Sequence, residues 1–430
     1  MTTPPQTLDQ WLDWQLRAHP REIELGLDRV RTVWQRLGAP APARIVITVG
    51  GTNGKGSTVA FLESILRADG HRVGAFTSPH LLRYNERVRV QGADASEQML
   101  IAAFDRIEQV RGDTPLTYFE FGTLAALLIF AESSLDVAVL EVGLGGRLDA
   151  VNIIDADASI VTTVDLDHQD WLGCDREAIG REKAGIFRAE RPAIIGELDP
   201  PHALIDEAQR LGARLFRAGR DYRFEALLQG WRWSADDVSL DLPNPGLDAP
   251  CQRANAAAAI AVLHELRGRI HWCPEAIVHG IAKATAPARM QRFAGPPELI
   301  VDVAHNPQAA RVLADWLHSN PVSGRTIAVF GALADKDVEG IVDPLRAHID
   351  CWLLAGLDAG SARGLDVGAL RARVAEHVEI APQRCHASVG EALDSAFGLA
   401  RDGDRIIAFG SFLIAAAALA SESLRTRNAD

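Results

Sequence analysis

Residues 44–70 read RIVITVGGTNGKGSTVAFLESILRADG: an apolar run, a glycine-rich loop and an amphipathic continuation. That order predicts a strand, a phosphate-binding turn and a helix starting near Ser57. The loop departs from the common spelling, in which Lys directly precedes Ser or Thr and a further Gly stands five positions before the Gly that precedes the Lys. Here Gly56 separates Lys55 from Ser57, and Val49 holds the earlier glycine position. The physical parts are still present: small residues that let backbone N–H groups approach, an ammonium at Lys55 and a hydroxyl at Ser57. A turn that binds nothing does not require Asn53, Gly54, Lys55, Gly56 and Ser57 together after a strand, so a polyphosphate site is the preferred reading.

A chain of 430 residues exceeds one ordinary core and predicts two or three domains. With 47% hydrophobic and 23% charged residues, it has the composition of a folded soluble enzyme. The formal charge of −13 argues against a nucleic-acid partner and leaves small anions to local positive sites. Cys174, Cys251, Cys273, Cys351 and Cys385 are scattered and odd in number, which points to neither a disulfide framework nor a zinc site but to a reducing cytoplasm. The start MTTPPQTLDQWLDW lacks a basic segment and an apolar core, and FLIAAAALA (412–420) is too short to span a bilayer. No membrane partner is expected. Only four of the 44 basic residues are lysines, at 55, 183, 283 and 336. A lysine kept against that bias points to a compact charge or a nucleophilic amine.

Along the chain, the apolar spacing Ile23, Leu27, Val30, Val33, Trp34, Leu37 predicts a helix ended by Gly38. After the loop and its helix come HRVGAFTSPHL (71–81), LDVAVLEVGLGG (135–146), ASIVTTVDLDHQDWLG (158–173) and RPAIIGE (191–197). Each is an apolar strand with a polar exit, and the repetition predicts a mainly parallel sheet whose ligands gather at its carboxyl edge. Proline and glycine near PARMQRFAGPPELIVDVAHNP (287–307) predict a linker at 289–297. Domains are therefore expected at 1–288 and 298–430. In the second, LIVDVA, RTIAVFGAL, CWLLAG and RIIAFGS form four buried-type strands of a smaller Rossmann-like α/β unit without a dinucleotide glycine fingerprint.

Several strand exits carry chemistry. Glu141 ends an apolar strand where a carboxylate could hold Mg²⁺, within EVGLGGRLDAVN, whose glycines and Arg147, Asp149 and Asn152 make more than a plain connection. His168 stands among Asp165, Asp167 and Asp170; a lone histidine is as readily structural as ligating. Lys183 in REKAGIFR, taken alone, reads as a surface charge, and the aromatic residues of LTYFEFGT (116–123), taken alone, read as core. Asp302, His305 and Asn306 lie beyond LIVDVA, and Lys336 follows AVFGAL.

Taken together, ELGLDRV, GGTNGKGS, TSPHL, LTYFEFGT, EVGLGGRLDAVN, DHQDWLG, REKAGIFR, ANAAAAI, PARMQ, DVAHNP and ALADKD resemble the bacterial folylpolyglutamate synthase and dihydrofolate synthase family, a branch of the Mur-ligase-like ATP-dependent amide ligases. The matches run from about residue 20 to 412. The resemblance implies an N-terminal P-loop-type ATPase domain plus the smaller C-terminal domain, and ligation of L-glutamate to dihydropteroate and reduced folates through an acyl phosphate. It implies ATP phosphates held by Gly54, Lys55, Gly56 and Ser57, with Asn255, Arg289 and Asp302 as further nucleotide contacts. Two Mg²⁺ ions are implied at Ser78, Glu141 and His168, with Lys183 carbamylated. Thr117, Phe119, Phe121, Asp149 and Asn152 are implied near the pteroate, and His305 and Lys336 near glutamate or phosphate. It further implies a monomer. A Mur ligase of peptidoglycan synthesis would place a UDP-binding domain before this loop, and a P-loop kinase would carry the common loop spelling and no second α/β domain.

Overall fold

The computed structural model describes residues 5–19, 21 and 23–421. The first four residues of the amino-terminal stretch and residues 422–430 of the expected second domain lie outside them. The chain divides into two compact units, one of residues 1–246 and 253–285, the other of 247–252 and 286–430.

The first unit is built on an eight-stranded sheet: β1 (Ile45–Gly50), β2 (Val73–Phe76), β3 (Val88–Val90), β4 (Ala93–Asp94), β5 (Val137–Glu141), β6 (Ala158–Val161), β7 (Pro192–Ile195) and β8 (Arg214–Arg217). Their spatial order is β4-β3-β2-β5-β1-β6-β7-β8. Only the β2/β3 and β3/β4 pairs are antiparallel. The central strands are apolar on both faces because helices cover both; β1 and β5 have no exposed residue. Val49 of β1 lies opposite Glu141 of β5, and Gly50 opposite Val161 of β6. Three strand exits, at Gly50, Glu141 and Val161, therefore open side by side at one edge.

The phosphate-loop helix runs Lys55–Ala68, two residues earlier than the sequence spacing predicts. A close approach holds it to helix Pro274–Lys283: a Cβ on Gly280 would stand 2.5 Å from Ile65 Cα. The predicted amphipathic helix is confined to Asp28–Arg36, which buries Val30, Val33 and Trp34. It is preceded by helix Leu8–Ala18. Both lie over the core that includes helices Glu97–Arg111 and Tyr118–Glu132. A separate three-stranded antiparallel sheet, β9 (Tyr222–Ala226), β10 (Trp231–Ala235) and β11 (Val238–Leu242), follows. Trp231 and Trp233 are fully buried while their neighbours Arg232 and Ser234 are not, the alternation of a strand with one wet face.

The second unit carries six strands, β12 (Gln291–Phe293), β13 (Glu298–Val301), β14 (Thr326–Phe330), β15 (Cys351–Ala355), β16 (Cys385–His386) and β17 (Arg405–Phe409), in the order β12-β13-β17-β14-β15-β16. All pairs are parallel except β12 with β13. The stretch 289–297, expected as a linker, thus contributes an edge strand to this unit. No helix among the described residues is long and apolar enough to cross a membrane.

Arg405 fixes the start of β17. Its Nε donates to Glu298 Oε2 at 2.8 Å, its Nη1 to the Asn320 carbonyl at 2.8 Å, and its guanidinium lies 4.8 Å from the Trp316 ring centroid. Its side chain is 4% exposed. Arg405→Ala leaves the Asn320 carbonyl without that donor and the Trp316 ring without its cation, while Glu298 keeps Arg292; it is expected to lower stability by roughly 2 kcal/mol in urea unfolding of the whole chain. Arg405→Lys should recover only part of the loss, because one ammonium cannot serve both acceptors and the ring.

Candidate active site

The carboxyl edge of the first sheet begins with a helix terminus left open. Gly54, at φ 88°, precedes helix Lys55–Ala68, whose amino end has no side-chain cap and no acidic residue in its first turn. The first N–H groups and the positive end of the helix dipole are therefore offered to an anion. Asn255 packs against this glycine so closely that a Cβ on Gly54 would lie 2.3 Å from Asn255 Oδ1. Lys55 folds back over the loop, with Nζ donating to the carbonyls of Gly51 at 3.0 Å and Thr52 at 3.1 Å. Ser57 is buried.

The loop is laced to the exit of β6. Thr162 Oγ1 donates to the Asn53 carbonyl at 2.6 Å, the Asn53 N–H to Thr163 Oγ1 at 3.1 Å, and the Thr52 N–H to the Thr163 carbonyl at 2.7 Å. The peptide of Val164 is gripped from both sides: its N–H donates to Glu197 Oε2 at 3.1 Å, and its carbonyl accepts Arg176 Nε at 2.8 Å. Arg176 Nη2 then closes the clamp on Glu197 Oε1 at 2.9 Å. Beyond it, His168 adopts left-handed φ 51°, ψ 42° at the head of the short helix Gln169–Leu172.

Of the residues expected to hold metal, Ser78 and Glu141 are brought into contact, the Ser78 N–H donating to Glu141 Oε2 at 3.2 Å. Glu141 is 3% exposed. Among the described residues, no three His, Cys, Asp or Glu side chains converge on one metal position. The oxygen donors at Glu141 and Ser78 nevertheless suit a hard divalent ion; the imidazole of His168 is a softer ligand. Lys183 lies fully inside, in the last turn of helix Arg176–Ala184. Burial, with repulsion from Lys55, lowers its pKa to about 7, against the opposing pull of Asp167 and Asp149. A surface charge is thereby excluded.

The loop after β5 approaches that helix end through glycine. The Arg147 N–H donates to the Glu182 carbonyl at 2.9 Å, and a Cβ on Gly146 would sit 2.9 Å from the Glu182 and Lys183 carbonyls. Asp149 is buried; its Oδ2 accepts the Leu144 N–H at 2.8 Å and its Oδ1 the Val151 N–H at 3.1 Å. Burial raises its pKa to about 6, with the N–H donors and the Lys55 charge pulling the other way. Phe119 stands over this loop: a Cβ on Gly143 would lie 2.6 Å from its ring tip. Thr117 caps helix Tyr118–Glu132 in a reciprocal pair with Glu120.

Two neighbours expected near the pteroate have other occupations. The Phe121 ring is 0% exposed and packs edge-on against Trp14 and Phe104 in the core. Asn152 donates to the Arg147 and Gly185 carbonyls, both at 3.0 Å, and its Oδ1 accepts Arg188 Nη2 at 2.9 Å.

In the second unit, Asp302 leaves the end of β13 half-buried, accepting N–H bonds from Met290 and Ala304, both at 2.7 Å. Burial raises its pKa, with Arg289 opposing. Arg289 and His305 both face the ring of Phe412, at 5.5 Å and 5.9 Å. His305 Nδ1 is 2.7 Å from the Val303 carbonyl; a carbonyl only accepts, so Nδ1 carries a proton. Lys336 is 8% exposed, with Nζ 3.9 Å from Asp335 Oδ2. Sequence reasoning passed over Thr162, Arg176 and Glu197, none of which sits in a glycine or aromatic motif.

Residues 49–240 match the Mur ligase middle domain and residues 288–412 the Mur ligase glutamate ligase domain. The chain is 46% identical over 406 residues to the dihydrofolate synthase/folylpolyglutamate synthase of Escherichia coli strain K12, covering 94% of this chain and 93% of that one. The structure of E. coli FolC in complex with DHPP and ADP superposes with a TM-score of 0.92 at 44% identity, covering 99% of this chain and 100% of that chain. A bifunctional folylpolyglutamate synthase/dihydrofolate synthase with Mn, AMPPNP and L-glutamate bound superposes at 0.90 with 45% identity, covering 99% and 100%.

The loop geometry gives a direct expectation. Gly54→Ala must give up either the left-handed turn or the Asn255 contact, and ADP binding by calorimetry is expected to weaken at least about 10-fold. An Ala variant at exposed Gly70, which also has positive φ but meets nothing within 4 Å, should bind ADP as the wild type does.

Proposed function

The chain belongs to the dihydrofolate synthase/folylpolyglutamate synthase family, and on that premise we propose that it joins L-glutamate to dihydropteroate and to reduced folates with hydrolysis of ATP to ADP and phosphate, as a cytoplasmic monomer. The observation that carries the reading is that an uncapped helix terminus and the Ser78–Glu141 contact open at one edge of one sheet, with buried Lys183 close enough to feel the Lys55 charge. No nucleophilic side chain is needed. A carboxylate oxygen of the acceptor attacks the γ-phosphorus, and the bond to the bridging oxygen of ADP breaks. The glutamate amine, having lost a proton, then attacks the acyl carbon, and phosphate leaves the tetrahedral intermediate. Both steps develop charge on oxygen, so the task is positioning and electrostatic stabilisation.

Gly54 to Ser57 offer the N–H groups and ammonium that receive the phosphates, with Asn255 setting the shape of the turn. Ser78, Glu141 and His168 would hold two Mg²⁺ ions, which supply charge neutralisation at the phosphoryl oxygens. Lys183 is suited to carbamylation: its neutral amine can attack CO₂, releasing a proton and leaving a carboxylate on the side chain. An amine of ordinary pKa would be protonated and inert at neutral pH; lowered to about 7, it is substantially available. Phe119 and Asp149 are the proposed pteroate contacts, while Thr117, Phe121 and Asn152 shape their supports. In the second unit, Arg289 and Asp302 are the proposed nucleotide contacts, and Lys336 a contact of glutamate or phosphate. His305 Nε2 is a proposed acceptor for the proton of the glutamate ammonium.

Purified protein with ATP, Mg²⁺, glutamate and either acceptor should yield a product one glutamyl mass heavier by mass spectrometry; ATP hydrolysis without such a product from either acceptor would overturn the ligase reading. Lys183→Ala is expected to lose roughly 100-fold or more in kcat and to regain part of it with added acetate. Because the neutral amine prevails above its pKa, wild-type activity at limiting CO₂ should rise as pH rises through about 7, and added bicarbonate should move that rise to lower pH. Asp149 accepts pterin N–H donors best when ionised, so the acceptor KM should climb as pH falls through about 6, and Asp149→Asn should remove that dependence.

A further inference from the structure

The segment following Ser78 carries three arginines with different surroundings. Arg83 Nη2 lies 2.9 Å from Asp94 Oδ2, and Arg89 Nη2 lies 2.9 Å from Glu63 Oε2. Arg87 has no carboxylate within ion-pair distance among the described residues. The acid next to it is occupied elsewhere: the Glu86 carboxylate accepts the N–H groups of Leu81, Leu82 and Arg83 at 2.7, 2.9 and 2.8 Å. An arginine left uncompensated in a chain of net charge −13 needs an account, because neutralising it by one more acid would be simple.

Arg87 is also held stiffly. Its Nε donates to His80 Nδ1 at 2.8 Å, and its guanidinium lies 5.4 Å from the Tyr84 ring centroid and 5.5 Å from that of Tyr118. The two rings stand edge to face at 5.6 Å. Neither Nη nitrogen has a hydrogen-bond acceptor among the described residues, so the fork that matches a carboxylate is fixed in direction and available. The Arg87 carbonyl accepts the Thr77 N–H at 2.9 Å, which sets this residue beside Ser78; Tyr118 adjoins Phe119. The backbone of Arg87 is thus tied to the strand exit that carries Ser78, and its cation to the first turn of the helix that carries Phe119.

We propose that Arg87 binds the carboxylate that does not react when the acceptor already carries a glutamyl residue. This rests on the ligase reading above. Dihydropteroate ends in one carboxylate, which is the one activated. A glutamylated reduced folate ends in two, a few bonds apart, and the second must be accommodated close to the reacting one. An arginine clamped on the attacking carboxylate itself would damp its nucleophilicity; one placed beside it holds the spectator group and orients the other. Arg87 is thus a specificity-determining residue that favours chain extension over the first glutamylation.

The test measures kcat/KM of wild type and Arg87→Gln for dihydropteroate and for a tetrahydrofolate monoglutamate. The variant is expected to lose about 10-fold more with the glutamylated acceptor than with dihydropteroate, mainly in KM. Equal losses with both acceptors, or no loss with either, overturn the proposal. A second measurement uses a tetrahydrofolate monoglutamate whose spectator carboxylate is replaced by a carboxamide. Wild type should prefer the free acid about 10-fold, Arg87→Lys should keep part of that preference, and Arg87→Gln should show almost none. Should Arg87→Gln fail to fold, wild-type indifference to the carboxamide still overturns it. Failure of wild type to extend either acceptor strikes at the ligase reading instead, so the two failures are told apart.

Discussion

The parallel bonding of β1 on both flanks, to β5 and to β6, is the constraint from which the rest of the first unit follows. It fixes Val49 opposite Glu141 and Gly50 opposite Val161, and a slip of one residue would turn every side chain to the other face. With that register, a glycine loop, a carboxylate and a threonine pair leave the sheet within reach of one another. Thr162 and Thr163 then bind the loop through its backbone, so its shape does not depend on the nucleotide being present. A loop formed in advance loses less conformational freedom on binding, and its N–H groups are already aimed.

Charge organises the same edge. Lys55 and Lys183 are both cations drawn toward a buried region, and each raises the cost of protonating the other. Burial is the larger cost to the Lys183 ammonium and the Lys55 charge adds to it; the carboxylates of Asp167 and Asp149 offset these only in part, so its pKa remains lowered to about 7. Two ammonium groups in a low-dielectric region are costly to keep charged, and that cost falls when phosphate oxygens or a side-chain carbamate enter.

Much of this was legible in the sequence because the strands of both sheets are buried on two faces and read as continuous apolar runs with polar exits. Glu141, His168 and Asp302 stand out for that reason, and the scarcity of lysine marks Lys183, although its own helix reads as a surface position and the residue is buried. Other features depend on contacts that spacing does not reveal. Tyr118, Phe119 and Phe121 fall within one helical turn and cannot all face one ligand; Phe121 points to Trp14 and Phe104, while Phe119 lies over Gly143. Helix Leu8–Ala18 buries Gln15 beside Leu8 and Trp11, so its apolar stripe is interrupted and weak. The alternation of Trp231, Trp233 and Ala235 is a strand signal, but spacing alone does not tell that β9, β10 and β11 form an antiparallel sheet of their own.

Arg87 marks the limit of pattern reading most sharply, since what distinguishes it is a missing counter-charge. In sequence it is one of three closely spaced arginines with Glu86 adjacent, and the simplest assumption is a neutral pair. Folding diverts Glu86 to three backbone N–H groups of residues 81–83, and these bonds tighten the turn that follows Ser78. The same diversion leaves Arg87 to the two tyrosines. The turn that presents Ser78 and the positive charge beside it are therefore two results of one placement of a carboxylate. That coupling explains how an edge built for one reacting carboxylate also gains the means to distinguish acceptors that carry a second.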